Sequence, residues 1–68
     1  MKIAEAIQVS TKRLTAYGTE DKEAISQARI LIAFLAKCRL SELALIQGQD
    51  LQADIDPYLA RQIGRAHV

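Results

Sequence analysis

The side chains able to do chemistry in this chain are few and scattered. One cysteine, Cys38, and one histidine, His67, are the whole supply of thiolate and imidazole. A metal site needs three or four such donors converging on one point. Cys38 therefore reads as a small core residue and His67 as a solvated tail residue. Asp50, Asp54 and Asp56 cluster loosely, but a calcium loop requires oxygen ligands at alternate positions, a glycine at the sixth and a closing glutamate. That pattern is absent, which leaves turn carboxylates and a helix cap. No serine or cysteine stands where a histidine could activate it. The three glycines are dispersed and form neither a phosphate loop nor a dinucleotide turn. Each acidic residue falls at a helix end or on a polar face, without a partner for acid–base work. Catalysis by this chain alone is not expected.

Two arrangements could bind rather than react. Arg61 and Arg65 are one helical turn apart and so share a face. With Lys12 and Arg13 they could line a surface for an anionic or protein partner; the alternative is solvated charge on the outside of surface helices. Residues 30–47 (ILIAFLAKCRLSELALIQ) have the outline of a helix-turn-helix. A recognition helix, however, carries Arg, Lys, Asn or Gln to base edges. Residues 42–47 hold one Glu, one Gln and four apolar side chains before Gly48. The charge balance, nine basic against eight acidic residues for a net +1, also lacks the basic stripe of a nucleic-acid binder. A stand-alone small helical interaction module or a weak helix-turn-helix DNA binder is the alternative reading, not the favoured one.

The element that must position these groups is the stretch 23–37 (EAISQARILIAFLAK). At about 100° of turn per residue, Ala24, Ile25, Ala28, Leu31, Ile32, Leu35 and Cys38 form one continuous apolar face, which Ile30 and Phe34 extend. Lys22, Ser26, Arg29 and Lys37 form a narrow polar strip. An ordinary amphipathic helix has an apolar stripe a little over 100° wide, and this one approaches twice that. It is expected to be covered on more than one side, or to pair with a second copy of the chain.

Around it, residues 2–17 predict a first helix, with Ile3, Ala6, Ile7, Ser10, Leu14 and Tyr17 on its seam. Gly18 should close that helix in the left-handed conformation. Thr19, or else Asp21, should cap the central helix, with Glu20, Asp21 and Glu23 at its positive end and Lys37 and Arg39 at the other. Ser41 should cap a short helix over 42–47, with Leu43, Leu45 and Ile46 as its apolar residues. Leu51 should anchor the following loop. Asp56-Pro57 signals a last helix to about Arg65, with Leu59, Ala60 and Ile63 inward and Ile55 packed back over the first turn. The expected fold is all-α, a small bundle of four or five short helices around a central apolar helix at about 20–38.

Sixty-eight residues, half of them hydrophobic, make a single small helical domain, 1–68, with stability on the order of 3–5 kcal/mol. A lone cysteine fits a reducing compartment. The longest apolar run, 30–36, is far short of the roughly 20 residues that span a bilayer. The N-terminus has no hydrophobic signal core. A cytoplasmic, non-membrane protein is expected.

Taken together, the pattern resembles the N-terminal helical domain of the HemK/PrmC protein-(glutamine-N5) methyltransferases, which modify peptide-chain release factors. The residues that carry the resemblance are Ala28, Arg29, Ile30, Leu31, Ile32 and Ala33, set against that family's D-A-x-x-L-L-x core. Ser41 stands as the short helix's cap, Leu51 as the loop anchor, and Leu59, Ile63 and Arg65 lie in the last helix. Leu40 stands where the family commonly has arginine. The family's Gly-Glu-Pro linker and Asn-Pro-Pro-Tyr motif have no counterpart here. The resemblance implies an accessory domain that helps recognise the release factor and position its own methyltransferase domain. S-adenosylmethionine is implied only for that separate catalytic domain, and no catalytic, cofactor or metal residue is implied within this chain.

Overall fold

The computed structural model describes the backbone of residues 1–66 and the side chains of 1–61. The side chains of Ile63 and Arg65, and all of His67, lie outside the described residues. The fold is all-α: helix α1 (Ile3–Ala16), helix α2 (Asp21–Ala36), a 3₁₀ helix (Leu40–Leu45) and helix α3 (Asp56–Ala66). The connection 17–20 is short enough to fold α1 and α2 into an αα-hairpin. Ile3 at the start of α1 accordingly lies beside Leu35 and Ala36 at the end of α2, while Thr11 lies beside Ile25 and Arg29.

The seam of α1 is Ile3, Ala6, Ser10 and Leu14, all buried. Against it α2 sets Ala24, Ala28, Leu31 and Ile32. Ala6, Ser10, Ala24 and Ala28 have no exposure at all. Small side chains at facing positions let the two helices meet closely, and Ile32 and Leu31 fill the space further along. Leu43, Leu51, Ile55 and Leu59 close the core from the remaining segments. Tyr17, expected on this seam, is instead the C-cap of α1 and 59% exposed.

Both long helices end in the same way. Gly18 adopts φ 98°, its N–H donates to the Thr15 carbonyl at 3.0 Å, and the Thr19 N–H reaches back to Leu14 at 3.1 Å. At the end of α2 the left-handed residue is Lys37, φ 59°, with Lys37 and Cys38 donating to Phe34 and Ala33 at 3.2 and 3.0 Å. These are paired closures of the Schellman type. Half-buried Cys38 packs against the core just beyond the second.

The helix starts correct the sequence reading in three places. The residue before α2 is Glu20, and no side chain caps that helix, so neither Thr19 nor Asp21 serves. The short helix is 3₁₀, begins one residue before Ser41, and is entered from Arg39, whose N–H donates to Glu42 Oε1 at 3.2 Å. Leu43 is its buried residue, while Leu45 is 83% exposed. At α3, Asp56 opens the helix ahead of Pro57, but the side chain that receives an amide there is Asp54, from the Asp56 N–H at 3.1 Å. Asp56 turns to Arg13 of α1 instead. Leu59 and Ile55 are buried as expected, whereas Ala60 is exposed.

The first amides of α1 have no side-chain cap. The Ile3 and Ala4 N–H groups donate to the carbonyls of Gln49 and Gln47 at 2.9 and 3.2 Å. Lys2 and Asp50 form an isolated antiparallel bridge, and the Leu51 N–H donates to Met1 at 2.8 Å. The polar loop after the 3₁₀ helix thus satisfies groups that every helix start leaves open. Its anchor, Leu51, enters the core as expected.

Candidate functional site

Helix α2 is not wrapped all the way round. Leu31 and Ile32 are buried and Leu35 half-buried, but Ile25, Ile30 and Phe34 are 39%, 58% and 64% exposed. Cover on more than one side is met, by α1 and the 3₁₀ helix, but Ile25 and the extension of the apolar face at Ile30 and Phe34 lie outside it. Ala33, by contrast, is 5% exposed, on a side that the helical repeat places near Ser26. The 3₁₀ helix packs against α2, and its Leu43 shares one buried core with Ala33.

The open side of α2 has two hollows. One, of about 520 Å³, lies between α1 and α2 and is lined by Ile7, Gln8, Thr11, Lys12, Ile25 and Arg29. The other, of about 270 Å³, is lined by Ser26, Arg29, Ile30 and Leu40. Arg29 borders both, no carboxylate borders either, and Leu40 is itself 52% exposed. Phe34 follows Ile30 by one turn, so the two apolar side chains stand in one row. Lys22, Arg29 and Lys37 are exposed on α2, and Lys12 is exposed on α1. None of these four cations has an ion pair among the described residues.

The cations singled out in the sequence are divided between surfaces. Lys12 borders the larger hollow. Arg13, next in sequence, forms a salt bridge with Asp56 at the start of α3. Arg61 borders a separate hollow with Asp54, Pro57 and Tyr58. Arg29, Ile30 and Phe34 were not read as site residues. The signal was available: Ile30 stands about 40° round from Ser26 at 100° per residue, beside the polar strip as much as the apolar face.

Among the described residues no group of three His, Cys, Asp or Glu could hold a metal ion. Asp50, Asp54 and Asp56 are a bridge residue, an amide acceptor and the partner of Arg13. The two hollows on α2 have neither a glycine-rich turn nor a carboxylate for the ribose of S-adenosylmethionine. No helix of the described residues is long and apolar enough to cross a membrane. The segment resembling a helix-turn-helix has a six-residue 3₁₀ helix in second place. At about 2 Å per residue it extends only about 12 Å, with Leu43 turned into the core.

Fold and surface together define a small helical module with an open, cation-flanked apolar strip. No family model, curated protein or solved structure matches the chain.

Proposed function

We propose that the chain is a non-catalytic protein-recognition domain of the kind that precedes the catalytic domain in release-factor glutamine methyltransferases. In that role it contacts the peptide-chain release factor and holds the methyltransferase domain in position, and the S-adenosylmethionine chemistry belongs to that other domain. The observation that carries the reading is the row of exposed apolar residues on α2, Ile30 and Phe34, continued at Leu40. Solvent-facing apolar groups in a continuous patch mark a surface that binds another macromolecule. The resemblance carried by residues 28–33, Leu51 and Leu59 supports the choice of partner, and a cytoplasmic location follows from it.

The test is titration of the chain into a purified release factor, followed by sedimentation velocity. Saturable binding that Ile30→Asp removes is the expected result. No association at high micromolar concentration, with the chain shown folded by circular dichroism, refutes the proposal. A concentration-dependent dimer that Ile30→Asp dissolves would assign the strip to a second copy instead.

A further inference from the structure

We infer that the two hollows on α2 form one docking groove for an acidic amphipathic segment of a protein partner. One apolar anchor of that segment enters between Ile7 and Ile25, a second lies against Ile30 and Leu40, and a carboxylate between them pairs with Arg29. The inference rests on the protein-recognition reading above and specifies the chemistry of what is recognised.

The argument is one of charge and shape. Arg29 borders both hollows, so whatever fills both must pass over its guanidinium. Lys12 adds a second cation to the larger hollow; outside the hollows the exposed charges of α2 are mixed, Lys22 and Lys37 with Glu23 among them. No carboxylate lines either hollow and these side chains make no ion pair among the described residues, which leaves Arg29 and Lys12 open to an acidic partner. Arginine suits the task, because its planar fork takes a carboxylate through two parallel hydrogen bonds. The apolar lining on either side of it sets what flanks that carboxylate. An amphipathic helix in a groove places anchors one turn apart in this way. A basic segment would meet like charge at every cation of the groove, which costs affinity.

The probe is a short fluorescein-labelled helical peptide in which two leucines one turn apart flank glutamates, and its counterpart with lysine for each glutamate. Anisotropy titration with the whole chain should show saturable binding of the acidic peptide, weakening as salt rises, and none of the lysine peptide. Arg29→Glu should weaken the acidic peptide by more than about tenfold, and Arg29→Gln by roughly tenfold. Both variants are expected to retain the helical circular dichroism of the parent, because Arg29 is exposed. Equal binding of the two peptides, or an Arg29→Glu variant that binds as the parent does, overturns the inference. So does displacement of the acidic peptide by phosphatidylglycerol vesicles but not by phosphatidylcholine ones, which would assign the cations to an anionic lipid surface.

The release factor separates this inference from the broader one. If it binds parent and Arg29→Glu alike, the groove assignment fails while protein recognition stands. If the acidic peptide binds and the release factor does not, the choice of partner fails and the groove stands.

Discussion

Ser10→Ala should stabilise this protein, although it removes a polar group from the middle of its tightest helix contact. Ser10 is fully buried, and its hydroxyl oxygen has no hydrogen-bond partner. A buried hydroxyl left unsatisfied costs about 1–3 kcal/mol. Alanine is also the better helix former, by up to roughly 0.7 kcal/mol. Against these gains stands the loss of one oxygen atom's packing, less than the ~1 kcal/mol of a missing methyl. The balance is a gain of about 1 kcal/mol. In a urea titration at an m-value of about 1 kcal/mol/M, the midpoint should rise by about 1 M with m unchanged, and Tm should rise by roughly 4–8 °C. Thr11→Ala is the control, since the Thr11 hydroxyl donates to the Ile7 carbonyl at 2.7 Å. Deleting that satisfied group should change stability by under about 0.5 kcal/mol, as the lost bond and the gained propensity offset one another. If Ser10→Ala lowers the midpoint, the hydroxyl has a partner and the reasoning is refuted.

Four further outcomes can be stated. Gly18→Ala should lose about 1 kcal/mol, because the φ of 98° is the obstacle while the space beside the residue is open, whereas Lys37→Gly should gain several tenths by relieving the left-handed strain at φ 59°; chemical denaturation of both variants reads the opposite signs. A double-mutant cycle on Arg13 and Asp56, whose side chains are 47% and 62% exposed, should give a coupling under about 1 kcal/mol that shrinks with added salt. Leu59→Ala, at a position 1% exposed, should cost about 2–5 kcal/mol and leave the chain largely unfolded by circular dichroism. Phe34→Ala, at 64% exposed, should stay within about 0.5 kcal/mol of the parent.

Much of this fold could be read from the residues, and the limits of that reading have a physical pattern. Leu51 was legible because it is a lone leucine in a polar stretch, and Gly18 because a left-handed closure favours the residue without a Cβ. The start of α3 was legible from Pro57, although the side chain that takes the amide proved to be Asp54. Lys37 as a left-handed closure was not legible, since nothing in a lysine announces it. The closure of α1 by the carbonyls of Gln47 and Gln49 was equally hidden, because any residue can supply a carbonyl and only the path of the loop brings these two to Ile3 and Ala4.

The misassignment on α2 matters most for function. A helical repeat gives the angle of each side chain but not the number of neighbours available to cover it, and it ranked Ile30 with the core because it is isoleucine. The neighbours of α2 are α1, a six-residue 3₁₀ helix and, near its end, the loop that carries Leu51. They cover the arc from Ala24 to Ile32, together with Ala33, and leave Ile30 and Phe34 outside. Scattered exposed apolar residues are ordinary on any protein surface, so exposure alone would carry little weight. What sets this side of α2 apart is its company: Arg29 borders both hollows, and neither Arg29 nor Lys12 has an ion pair among the described residues. Glu23 shares the row of Ile30 and Phe34, so charge of one sign belongs to the linings of the two hollows, Arg29 and Lys12, and not to the whole strip. The sign of those two charges, more than the grease between them, is what favours an acidic partner for the groove.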